Sequence, residues 1–197
     1  MARIITTVIL IAMVVAAVGA DRSSGGIKAG PLLSFAEKDE KSSIYNIPTD
    51  KFGPKAGFFY RHAISDIISL QAEMQFALKG THYYSASIRR TRSVHFYYLE
   101  IPFMVNAMAV HGALEFFAGP YAALLLGYSP SDKNDWTWEG NELKRFDLGA
   151  CLGARFWWRD FLLELQFTRG FSDILPSYGR GHHNMTIALQ FGYRLFK

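Results

Sequence analysis

Between Phe146 and Trp158 the chain alternates without a break. Phe146, Leu148, Ala150, Leu152, Ala154, Phe156 and Trp158 fall on one side of a two-residue period, and Asp147, Gly149, Cys151, Gly153, Arg155 and Trp157 on the other. That period belongs to a β-strand, whose successive side chains point to opposite faces. The first set is wholly apolar and the second, Trp157 apart, is small or charged, so the strand separates two very different surroundings. The same design recurs in Leu70 to Lys79, in Tyr97 to Asn106, in Leu163 to Thr168 and in Ile187 to Leu195. Helical periodicity is hard to find, and the pattern reads all-β.

Eight such segments can be placed, at about 25–35, 57–63, 68–79, 94–108, 113–128, 146–158, 161–173 and 184–196. Several reach the length of about ten residues that a tilted strand needs to cross hydrocarbon. The connections after the second, fourth and sixth are tight, around Ser65-Asp66, His111-Gly112 and Arg159-Asp160, whereas the others are longer. An even strand number with short turns at one end and long loops at the other predicts an eight-stranded antiparallel up-and-down transmembrane β-barrel, with both termini on the periplasmic side.

The N-terminus supports export. Arg3 precedes an apolar run from Ile4 to Ala17, and Val18-Gly19-Ala20 supplies small or compact residues for a signal peptidase. Residues 1–20 read as a signal peptide and 21–197 as the barrel domain. The run falls short of the roughly 20 apolar residues of a spanning helix, and no later segment reaches that length. A membrane location therefore requires a closed barrel. Cys151 is the single cysteine, which excludes a disulfide framework and leaves core packing as its expected role. Without Arg3 the mature chain has 20 Lys and Arg against 17 acidic residues, an excess too small to indicate a nucleic-acid partner.

Alternation alone does not say which face is inside, because a soluble ligand-binding barrel and a membrane barrel are inverse solutions of one pattern. The size and uniformity of the apolar face place it outward. Gly119, Gly127, Gly149, Gly153, Gly170 and Gly192 then fall on the inner face. With them come the charges expected to form a luminal polar network: Lys28, Glu73, Glu100, Glu115, Arg155, Glu164 and Arg194. Inward charges in a closed barrel must find partners, so these acids are expected to neutralise Lys28, Arg155 and Arg194. Trp157, Trp158, Phe161 and Tyr193 cluster toward one strand end, and Tyr83, Tyr84, Phe96, Tyr97, Tyr128 and Phe171 toward the other, as interfacial girdles would.

Several strand sequences carry a family resemblance: Gly26-Ile27-Lys28-Ala29-Gly30, Ser69-Leu70-Gln71-Ala72-Glu73, Tyr98-Leu99-Glu100-Ile101-Pro102, Ala118-Gly119-Pro120-Tyr121, Phe146-Asp147-Leu148-Gly149 and Phe191-Gly192-Tyr193-Arg194. Together they resemble the outer-membrane β-barrel domain family common in Bacteroidetes, often called porin-family or PorT-like proteins. The resemblance implies an OmpA- or OmpX-like barrel in the outer membrane with no catalytic motif to carry over. It departs at the C-terminus, which ends Leu195-Phe196-Lys197 rather than on an outward aromatic.

A search for chemistry yields no catalytic, cofactor-binding or metal residues. His62, His82, His95, His111, His182 and His183 fall mostly in turns or loops, and none shares a strand face with a serine and an acid. His182 and His183 are neighbours, which on a strand point to opposite faces and so do not share a metal. Cysteine zinc spacings and phosphate-binding glycine loops are absent. The expected protein is a non-enzymatic, monomeric barrel whose partners are outer-membrane lipid, lipopolysaccharide and the assembly machinery. Small-solute transport, adhesion, a secretion-accessory role and lipid A modification are its alternatives. The second loop, around Lys79, Arg89, Arg90 and Arg92, and the fourth, with Arg180, His182 and His183, are basic. Arg89, Arg90 and Arg92 are candidate contacts for lipopolysaccharide phosphates.

Overall fold

A computed structural model describes residues 22–36, 50–85, 90–110, 112–130, 144–172 and 183–197. They form β1 (Ser23–Ala36), β2 (Lys51–Ala63), β3 (Ile68–Ser85), β4 (Arg90–Val110), β5 (Leu114–Pro130), β6 (Phe146–Trp158), β7 (Phe161–Gly170) and β8 (Asn184–Phe196). Each strand pairs antiparallel with its sequence neighbour, and β1 pairs with β8, so the sheet closes. Among the described residues no helix is long and apolar enough to cross a membrane.

Three short turns share one rim with both ends of the barrel. In the first, the Ser65 hydroxyl accepts hydrogen bonds from the amides of Ile67 and Ile68 at 3.4 and 3.1 Å. The second uses Gly112 at a φ of 76°, where the missing Cβ removes the steric cost of the left-handed region. The third is the pair Arg159-Asp160.

Strands β6 and β8 begin and end where the alternation puts them, whereas the others differ. β2 starts at Lys51 rather than at 57, because its pairing to β1 runs on through Gly57, Pro54 and Gly53, which interrupt only the apolar pattern. The segment after Lys79, expected as a loop, is largely strand: β3 and β4 stay in register out to Ser85 opposite Arg90. This extension lacks the uniform apolar face by which the strands were recognised. β7 ends earlier, at Gly170.

The apolar set points outward. Leu148, Leu152 and Phe156 of β6 are exposed, as are Leu163 and Leu165 of β7, while Asp147, Cys151, Arg155, Glu164 and Gln166 are buried. One glycine shows how the narrow interior fills. A Cβ on Gly153 would lie 2.2 Å from the Leu165 carbonyl oxygen and 2.5 Å from the Phe117 ring, so that ring occupies the space a side chain would need.

Irregularities in register decide individual orientations. A bulge lies where Tyr97 faces Gly127 but Tyr98 faces Leu125, leaving Leu126 as the extra residue. An inserted residue reverses the faces of everything beyond it. Gly127 therefore stands opposite the outward Tyr97, correcting its expected inner position, and Tyr128 packs against the interior cluster of Val94, Phe96, Tyr98, Tyr121 and Leu125. Phe96, Tyr128 and Trp157 accordingly do not belong to the girdles; Trp157 packs inside against Phe59 and Leu162. Trp158, Phe161, Tyr193 and Phe171 are exposed.

Candidate functional site: the charged lumen

Arg155 sits at the centre of the barrel and is wholly buried. β6 presents it on the inner face opposite Glu164 of β7 and Glu115 of β5, its two register partners. Its Nε donates to Glu164 Oε2 at 2.7 Å, and Nη2 lies 2.6 Å from the same oxygen. Nη1 donates to Glu115 Oε2 at 3.0 Å and to Gln71 Oε1 at 2.9 Å, and Nη2 reaches Glu73 Oε1 at 3.5 Å. The guanidinium carbon Cζ lies over the Phe117 ring, 4.9 Å from its centre. A planar fork with five donors suits this role better than a point charge.

Lys28 joins the same group, pairing with Glu164 and, at 2.7 Å, with Glu73 Oε1. Arg61 approaches from the turn rim, with Nη2 2.7 Å from Glu115 Oε1, and Trp157 Nε1 donates to Glu115 Oε2 at 3.1 Å. Gln71 and Gln75 both donate to Glu73. The connected set has three cations, Lys28, Arg61 and Arg155, and three carboxylates, Glu73, Glu115 and Glu164, and is formally neutral. Neutrality with several donors per carboxylate is what makes so many buried charges tolerable in a low-dielectric interior.

A second group lies toward the loop rim. Glu100 pairs with Lys55 at 2.8 Å and with Lys79 at 2.6 Å. Lys55 also donates to Gln166 Oε1 at 2.7 Å, and the Lys79 ammonium lies over the rings of Tyr98 and Tyr121 at 4.9 and 5.6 Å. The Tyr121 hydroxyl donates to Asp147 Oδ2 at 2.9 Å, and Asn184 Nδ2 donates to the same oxygen at 3.0 Å.

Of the residues read from the sequence, Lys28, Glu73, Glu115, Arg155 and Glu164 come together in the first group, and Glu100 stands in the second. Among the described residues no carboxylate pairs with Arg194. It is half-buried near the turn rim with its guanidinium 4.4 Å from the Trp157 ring centre. Lys79 is a buried partner of Glu100, which corrects its place among the loop cations. Arg89 lies outside the described residues, and Arg90 and Arg92 are placed only by register, opposite Ser85 and Tyr83.

Sequence reasoning missed Lys55, Arg61, Gln166 and the Tyr121–Asp147 pair. For Lys55 the missing signal was its strand, and for Arg61 it was a cross-barrel neighbour that no local pattern reveals. His62, His82 and His95 also stand within strands rather than loops. Register places Ser23 opposite His62, and their side chains meet at 3.1 Å while the Tyr60 hydroxyl donates to Ser23 Oγ at 2.8 Å. Among the described residues no carboxylate is bonded to His62, so the orienting third member of a serine–histidine–acid relay is lacking there. Nor do the described residues contain a group of three or more His, Cys, Asp or Glu that could hold a metal ion.

An apolar exterior around a packed, ion-paired interior is the inverse of a soluble barrel. A solved structure shares the fold. Neisserial surface protein A is 11% identical, with a TM-score of 0.55 over 87% of this chain and 97% of that one. The attachment invasion locus protein Ail of Yersinia pestis is 14% identical, with a TM-score of 0.49 over 88% and 99%. No curated protein matches the chain. Residues 20–175 match the outer membrane protein beta-barrel domain family, and the chain, an outer-membrane β-barrel protein, belongs to it.

Proposed function

We propose that residues 1–20 are removed on export and that residues 21–197 act as a closed, monomeric, non-enzymatic wall presenting its longer connections at the cell surface. The observation that carries this reading is the neutral ion-pair group around the wholly buried Arg155, which spans the lumen from β1 and β3 to β5, β6 and β7. An eight-stranded barrel encloses little more than its own side chains. This lumen is filled by charges that hold one another. The assignment to the PorT-like branch rests on Tyr98-Leu99-Glu100-Ile101-Pro102 and Ala118-Gly119-Pro120-Tyr121. Lipopolysaccharide is the proposed outer partner, through Arg89, Arg90 and Arg92, and the outer-membrane assembly machinery the partner during insertion.

Planar-bilayer recording of the purified monomer tests the closed wall. The expected record has no stable conductance; large, long-lived channels would refute the reading.

A further inference from the structure

The turn joining β6 and β7 holds an arginine where glycine, asparagine or aspartate ordinarily stands. Arg159 is the first of two turn residues and has a φ of 58°, a left-handed conformation that crowds any residue with a Cβ. A strained residue of this kind asks for a role. Its guanidinium lies 5.7 Å from the ring centre of Trp158, which points outward and is 63% exposed. Trp158 stacks on Phe161 with ring centres 6.2 Å apart, and the Phe161 ring centre lies 5.6 and 5.1 Å from those of Phe191 and Tyr193. These rings continue the exposed apolar belt of Phe156, Leu163 and Leu195.

The adjacent acid does not satisfy the arginine. Asp160 is engaged by Lys197 at 3.0 Å, and among the described residues no carboxylate pairs with Arg159. An exposed cation thus stands beside an outward aromatic surface, at the turn that ends β6. We propose that this rim binds one glycerophospholipid of the leaflet it faces, the periplasmic leaflet in the orientation given above. Arg159 takes the phosphate through its paired N–H donors, and an acyl chain lies along the ring surface. The surface is not an isolated patch of the kind that marks a protein partner, because it is continuous with the lipid-facing belt.

Native mass spectrometry in mild detergent tests the site, titrating dioleoylphosphatidylglycerol, with dioleoylglycerol as the arm without phosphate and inorganic phosphate as the arm without chains. The parent protein should retain one phospholipid in preference to the diacylglycerol, and inorganic phosphate should not displace it. Arg159→Gly suits the backbone, so it should preserve folding while weakening retention about tenfold, the loss of one charge-assisted contact. Arg159→Asn gives the same readout with another residue that tolerates this conformation, and Arg159→Lys should fall between parent and Gly. Equal retention by Arg159→Gly and the parent would overturn the proposal. So would equal retention of dioleoylglycerol, displacement by inorganic phosphate, or a parent that covers these rings with a second copy and holds no lipid.

Discussion

Arg155 and Glu164 stand directly opposite each other on β6 and β7 and close an ion pair at 2.6 Å with neither side chain exposed. The pair does not stand alone, since Glu164 also holds Lys28 and Arg155 also holds Glu73 and Glu115. Removing the arginine therefore strands several carboxylates at once.

Arg155→Met should destabilise the barrel by about 3–5 kcal/mol, the cost of leaving buried charge uncompensated. Urea unfolding in lipid vesicles measures it. A change within experimental scatter would mean that the lumen admits water freely and that the network contributes little.

On the outside, Leu165→Arg should cost about 2–4 kcal/mol, the range for a cation on the lipid face near mid-depth. Leu165 is 53% exposed and belongs to the outward set of β7. Leu165→Ile, measured in the same vesicles, should leave stability close to the parent value.

The bulge beside Leu126 makes a prediction of its own. A spin label at Gly127, in a Cys151→Ala background, should be relaxed by dissolved oxygen rather than by a water-soluble metal complex. Register puts that position on the outer wall, and a Cβ there meets no atom within 4 Å. A label protected from both reagents would return Gly127 to the lumen.

Arg89, Arg90 and Arg92 are proposed to meet lipid phosphates. Their joint replacement by Gln should weaken binding to purified lipopolysaccharide and reduce its salt dependence, because screened charge contacts are lost. Migration differences between boiled and unboiled samples should persist, since the paired wall is untouched. Unaltered binding across a salt series would remove these residues from any such role.

What the sequence determined by itself was the wall. Residues Phe146 to Trp158 and Asn184 to Phe196 could be bounded correctly because period two and a uniform apolar face are local properties, written in consecutive residues. The same alternation sent Lys28, Glu73, Glu100, Glu115, Arg155 and Glu164 to one face. It was silent where the apolar face was broken, as at Gly53 and Pro54, so Lys55 was lost with the first half of β2. It was also silent beyond Lys79, where no uniform apolar face marks the strand that pairs with β4.

Only the closed structure decided which charges meet. Lys28 and Glu164 are 136 residues apart in the chain, and Arg61 and Glu115 are 54 apart, yet each pair is in contact. Their meeting depends on stagger around the barrel, and one extra residue, as at Leu126, turns every later side chain to the other face. Strand identity is therefore legible from neighbours in sequence, whereas partnership across a lumen is set by register summed around a closed sheet.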